Sequence, residues 1–125
     1  MAGFNALGSR LAVIRPADTL ANLAFTAALN TEITKIFVCN VTGGALTFRL
    51  FHGLAGDSFD EENALYYDAA VAANSTVVVE GMSPNAGLLM QPEEILGVRS
   101  SSANGLTFSI YGVTAPIAEQ GNFRA

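Results

Sequence analysis

The chain has 125 residues, a length that a single domain fills and that buries a core without disulfide staples. Half of it is hydrophobic and only 14% is charged, with a net charge of −5 from six Lys and Arg against eleven Asp and Glu. So few cations exclude sequence-independent nucleic-acid binding, which neutralises phosphates, and docking on anionic lipid. A surface this poor in charge points to one partly covered by sister subunits or a larger assembly.

Residues 1–9 mix Gly, Ala and Asn with isolated Phe4 and Leu7, show no period, and read as an extended arm. No basic n-region precedes a long apolar run, so no signal peptide is expected. No stretch anywhere approaches the roughly 18 apolar residues of a membrane span. A short β-prone run, Leu11 to Ile14, is flanked by Arg10 and Arg15 and stopped by Pro16. Residues 18–28 suit either a helix (Leu20, Leu23, Ala24, Ala27) or a strand (Leu23, Phe25, Ala27). A strand over 21–27 is favoured, because Asn30-Thr31 follows as a turn.

Residues 33–41 alternate over two mostly apolar faces, which predicts a central strand covered on both sides. Cys39 within it reads as a small buried hydrophobe, and as the lone cysteine it can form no intrachain disulfide. The tight-turn signal Thr42-Gly43-Gly44 leads into a returning strand over 45–52, predicting a hairpin. Residues 53–63 are a polar excursion carrying Asp57, Asp60, Glu61 and Glu62, and Ser58 with Glu61 fits a capping box for one helical turn. Strands follow over 65–71 and 76–80. Residues 81–87 break the pattern around Pro84-Asn85, and 88–90 is a short apolar segment.

The best local hairpin signal joins 94–100 to 106–113 through a Ser/Asn/Gly cluster. Leu106, Phe108 and Ile110 fall on one face of its second strand, and Thr107, Ser109 and Tyr111 on the other. Pro116 ends the strand, and 116–125 is a mixed tail with Phe123 and Arg124. About eight short strands at 8–12-residue spacing predict an all-β fold: a single antiparallel, jelly-roll-like β-sandwich over 10–115, with arm 1–9 and tail 116–125.

Chemistry-bearing patterns are sparse. His52 is the sole histidine, and a triad with Asp57 and Ser58 would rest on sequence neighbours without a Gly-x-Ser-x-Gly elbow. The acidic run at 57–62 lacks the glycine and distal glutamate of an EF-hand loop. One His and one Cys cannot close a zinc site, and Gly43-Gly44 has no following helix or lysine to make a phosphate loop. Asn40-Val41-Thr42 and Asn74-Ser75-Thr76 match the glycosylation sequon, and without a secretory signal both read as coincidence. No enzyme, cofactor or metal is expected.

Arg15-Pro16-Ala17-Asp18-Thr19, the strand ending Val38-Cys39-Asn40, Thr47-Phe48-Arg49-Leu50, Asn63-Ala64-Leu65-Tyr66-Tyr67-Asp68, Ala72-Ala73-Asn74-Ser75-Thr76-Val77 and the last strand together span roughly residues 10–113. In these phrases the chain resembles the small β-sandwich virion structural proteins of tailed bacteriophages. One position departs, since Gln91-Pro92-Glu93-Glu94 stands where a Gly-Asp turn is expected. The resemblance implies a non-enzymatic subunit made in the host cytoplasm and carried on the virion, foremost a capsid decoration (cement) protein on the shell exterior. Its implied partners are the major capsid protein or other virion proteins, in a homotrimer, with no nucleic acid and no membrane. A tail, neck or head-fibre component, including a receptor- or glycan-binding module using His52 and residues 57–63, is the alternative. For the trimer, Val77, Val78 and Val79 offer apolar side chains to both faces. The arm is expected to reach a neighbouring subunit by strand addition. The interface residues expected are Phe4, Leu7, Arg10, Leu11, Val13, Arg15, Val78, Tyr111, Phe123 and Arg124.

Overall fold

Short alternating runs become nine strands among the described residues of the computed structural model, which are 9–80 and 88–115. They are β1 Ser9–Ile14, β2 Asn22–Thr26, β3 Asn30–Asn40, β4 Leu46–Gly53, β5 Ala64–Val71, β6 Thr76–Glu80, β7 Leu88–Met90, β8 Ile95–Ser100 and β9 Leu106–Ala115. A single 3-10 turn, Glu61–Asn63, lies between β4 and β5. Phe4, Leu7, Phe123 and Arg124 lie outside the described residues, as do the rest of 1–8 and the tail 116–125; Ser9, the last residue of the expected arm, begins β1.

The strands form two antiparallel sheets. One has the order β1-β9-β3-β6, with β7 also on β3; the other has the order β2-β8-β4-β5. β6 lies opposite Lys35 to Cys39 and β7 opposite Thr31 to Ile33, both antiparallel to β3, so the two act as one interrupted strand. Counted so, the molecule is an eight-stranded jelly-roll sandwich. Of its connections only β4–β5, and the interruption itself, stay within a sheet.

That topology overturns both predicted hairpins. β3 and β4 lie in different sheets, as do β8 and β9, so the turns at 41–45 and 101–105 carry the chain across the sandwich. The turn residues are real, but a reversal signal does not state which sheet the chain enters next. β9 instead inserts between β1 and β3, pairing with β3 from Asn30↔Ala115 to Asn40↔Leu106.

β3 is central, as its apolar run predicted, but its alternation slips once. Thr34 is an extra residue against β9 between Ile33↔Gly112 and Lys35↔Tyr111, so Ile33 and Ile36 both point into the core. Leu11 is a matching extra residue on β1. Tyr111 borders both irregularities, and Gly112 is the next residue, bordering the one on β3. A Cβ there would sit 2.2 Å from the Glu32 carbonyl oxygen and 2.9 Å from Leu11 Cδ1, so only glycine allows this approach.

Beyond the bulge, Phe37 and Cys39 face away from the sandwich and are half-buried, and no described segment of the chain lies across that face. Cys39 is therefore an outer-face residue and not a core one. Val77 and Val79 pack on the core while Val78 alone of the three is exposed, so β6 offers one valine outward.

The core fills the space between the sheets. Ile36, Val38, Leu106, Phe108 and Ile110 come from one side, and Phe48, Leu50, Leu96 and Val98 from the other, each 0–1% exposed. Phe48 packs edge-on against Phe108 and is stacked with Tyr66. Burial of such side chains, worth about 1.5–3 kcal/mol each, drives the closure.

One polar residue is built into this interior. The amide nitrogen of Asn40, a residue 1% exposed, donates to the carbonyls of Gly44, Val71 and Ala72, and its oxygen accepts from Thr42 N and Thr42 Oγ1. It ties the end of β3 to both the 41–45 and 72–75 turns, and leaves no accessible amide for glycosylation. Asn40→Ala is expected to lower stability by roughly 3 kcal/mol, because buried carbonyls lose their donor. Urea unfolding should show a lower midpoint with an unchanged slope; a midpoint equal to wild type would remove Asn40 from this role.

Candidate functional site

Two surfaces present chemistry, one on each sheet. The register lays out the first, on the outer face of the β1-β9-β3-β6 sheet. One row across the strands reads Val13, Ser109, Phe37, Val78. The row toward the C-terminal end of β9 reads Arg10, Tyr111, Lys35, Glu80, and the row on the other side reads Thr107, Cys39, Thr76. Phe37 and Tyr111 are in edge contact at 5.5 Å. Val13 is 50% and Val78 42% exposed. The middle of the face is uncharged; Arg10, Lys35 and Glu80 share one row, and Glu32 lies one row further out, opposite Val113.

Of the expected interface residues, Arg10, Val13, Val78 and Tyr111 meet on this face. Leu11 does not; it is turned at its bulge to pack against the core. Arg15 lies past the end of β1, its Nε donating to the Asn104 carbonyl at 2.9 Å. Ser109, expected beside Tyr111 on the outward side of the last strand, belongs to the face too; Phe37, Lys35 and Glu80 were not expected there, because only cross-strand register brings them beside Val13 and Val78.

The second surface is on the other sheet. Between Phe48↔Ala69 and Leu50↔Tyr66, β5 holds two residues, Tyr67 and Asp68, against Arg49 alone. Asp68 accommodates the bulge with φ 55°, a conformation that aspartate tolerates better than most residues. The bulge aims both side chains at Arg49. Its guanidinium grips the Asp68 carboxylate with Nε at 2.7 Å and Nη2 at 3.1 Å, and it lies 3.7 Å over the Tyr67 ring. Arg49 pairs directly opposite Arg99 across β4 and β8. Asp68 stands 3.7 Å from Arg99 Nη1 and so offsets the repulsion between the two.

Beside this cluster the loop between β4 and β5 folds over the sheet. Phe59 stacks on Phe51 and lies across Gly97, where a Cβ would come within 2.7 Å of its ring. Phe51 is buried by this cover although it faces outward. The 3-10 turn is capped by Asp60, which accepts from Glu62 N, and not by Ser58. Asp57 accepts from Leu54 N and closes its own turn. The result is an open depression of about 540 Å³ lined by Arg49, Phe51, Phe59, Asp60, Glu61, Glu62 and Tyr67.

His52 is not part of that depression. Its Nε2 lies 2.7 Å from Glu94 Oε1 at the sandwich end, and the turn at Pro92, closed by Glu94 N donating to the Gln91 carbonyl, presents Glu94 there. With His52 paired to Glu94 and the Asp57 carboxylate bound to Leu54 N, the two are not joined as a triad requires. Among the described residues, no group of three or more His, Cys, Asp or Glu side chains could hold a metal.

Neither protein-family models nor curated proteins match the sequence. Among solved structures the chain is similar to one from "Structure of infectious bursal disease virus Gx strain", with 12% identity, a TM-score of 0.45, and coverage of 87% of this chain and 33% of that one. The chain thus spans about a third of that relative's length, and nothing about function follows from a likeness this slight.

The hydrogen bond from Arg49 holds the Asp68 carboxyl below the usual carboxylate range, with the charges of Arg49 and Arg99 adding to it, while desolvation opposes. A depressed carboxylate stabilises the fold above its unfolded pKa and loses that contribution as pH falls through the folded one. The grip on Asp68 therefore persists through mildly acidic pH. In Arg49→Met the Asp68 carboxyl resonance should titrate at a higher pH than in wild type, with the sandwich intact. An unchanged titration would show that Arg49 does not hold it.

Proposed function

We propose that this protein is a non-enzymatic structural subunit of a bacteriophage virion, a capsid decoration (cement) protein that binds the assembled shell and bridges its subunits. The observation that carries a subunit role is the outer face of the β1-β9-β3-β6 sheet. It is four strands wide, uncharged across its middle, and has Val13 and Val78 about half exposed. A patch of this kind in a chain with 14% charged residues is suited to contact with another protein. Jelly rolls serve in capsids, lectins and cupins alike, so the choice among them rests on the surfaces and not on the fold. With one histidine and one cysteine, the metal chemistry of cupins has no ligand set here. A cement role follows the sequence resemblance to phage virion proteins and uses such a face well, since modest contacts repeated over a lattice add up.

A second reading is supported by the depression beside Tyr67. Its exposed phenol, Arg49 and the carboxylates of Asp60, Glu61 and Glu62 could hydrogen-bond a glycan, as the alternative of a receptor-binding module requires.

Electron microscopy of particles carrying the protein should show it on the shell exterior, and shells saturated with it should melt at a higher temperature than bare shells. Val13→Asp with Val78→Asp should abolish that gain while Tyr67→Ala leaves it intact. Location on the tail, with Tyr67→Ala losing glycan binding, would replace the cement role by the second reading.

A further inference from the structure

We propose that the outer face of the β1-β9-β3-β6 sheet docks a second copy of this chain, across a two-fold axis that runs parallel to the strands between β9 and β3. This rests on the reading that the face is covered in an assembly, and names what covers it. The argument is the order of charges along one row: Arg10 on β1, Tyr111 on β9, Lys35 on β3, Glu80 on β6. Arg10, Lys35 and Glu80 are exposed, and none has an ion-pair partner among the described residues, although Lys35 and Glu80 are direct cross-strand neighbours.

Face-to-face packing about this axis lays the second copy's β6 over β1 and its β3 over β9, keeping every row in place. Glu80 of each copy then stands over Arg10 of the other, twice by symmetry. Lys35 of each stands over Tyr111 of the other, where an ammonium meets an aromatic ring. In the next row Val78 covers Val13 and Phe37 covers Ser109, so the apolar middle closes on itself. Mean strand directions stay aligned, as sheets prefer when they stack.

The other in-plane two-fold, perpendicular to the strands, fails on charge. Run through the charged row, it sets Arg10 over Arg10 and Lys35 over Lys35. Run through the row of Val13 and Val78, it sets Arg10, Lys35 and Glu80 over the uncharged row of Thr107, Cys39 and Thr76. Glu32, one row further out opposite Val113, lies outside the charged row and gains no ion pair from the parallel axis. Strands about 4.8 Å apart make a four-stranded face roughly 20 Å wide, which places the interface at the small end of specific complexes.

Sedimentation velocity of the full chain over about 1–100 µM should show a monomer–dimer equilibrium. Arg10→Glu and Glu80→Arg should each weaken it roughly tenfold, and the double variant should restore it, because the swap rebuilds both ion pairs. In a Cys39→Ser background, a short bis-maleimide should link Val13→Cys chains to Val78→Cys chains in a mixture, and link neither variant to itself. A double swap that stays weak, or Val13→Cys chains linking to each other, would overturn the proposed axis. A wild-type chain that remains monomeric overturns the dimer. If that monomer still binds shells and loses binding with Val13→Asp and Val78→Asp, the covered-face reading stands with the capsid as occupant. If the aspartate variant also binds as wild type does, both readings fail.

Discussion

The sandwich depends on the insertion of β9 between β1 and β3. Its pairs with β3 run the length of both strands, and on its other side it carries β1 as an edge. The same strand supplies Leu106, Phe108 and Ile110 to the core. Until the C-terminal strand is in place, β1 has no partner in its sheet, so the fold closes through contacts distant in sequence. Topologies of this kind fold slowly, because loop entropy is lost before those contacts form. Gly112 is the point at which the arrangement tolerates no side chain, since the Glu32 carbonyl occupies the place of a Cβ.

A second constraint holds one end of the sandwich. Every crossing from sheet to sheet leaves backbone groups at the rim that no ladder pairs. Asn40 answers several of these at once, and nearby Val41 N donates to the Gly105 carbonyl, Asn74 N to Thr42 and Asn104 N to Pro16. The turns at 41–45, 72–75 and 101–105 thus form one hydrogen-bonded rim. At the opposite end, Ala27 N donates to the Glu94 carbonyl and Glu93 N to the Ala27 carbonyl, and His52 meets Glu94. Both ends being occupied in this way, the outer faces of the sheets are the broad surfaces the described residues leave open.

Those two faces differ in kind. On the β4–β5 side, Arg49 is committed to Asp68 and Tyr67 and Phe59 covers Phe51, while Leu23, Leu65 and Tyr67 stay 41–54% exposed. On the β1–β9–β3–β6 side, Arg10, Lys35 and Glu80 have no ion-pair partner among the described residues, and Val13 and Val78 stay exposed.

Period-two alternation was enough to place most strands, from the run ending at Ile14 to Leu106, Phe108 and Ile110, because a strand between two layers must bury alternate residues. It also set the all-β class and the poverty of charge. The sequence could not say which strands pair. Thr42-Gly43-Gly44 and the Ser/Asn/Gly cluster at 101–105 report that the chain reverses, and a reversal within a sheet or across a sandwich uses the same turn chemistry. Nor was the slip at Thr34 visible, since a bulge is set by the partner strand's geometry. Only tertiary pairing turned Cys39 outward, gave Asn40 its interior partners, and drew Arg10, Val13, Val78 and Tyr111 onto one face. Alternation sets which residues can share a face, but bulges and the adjacency of strands are decided by closure of the whole core.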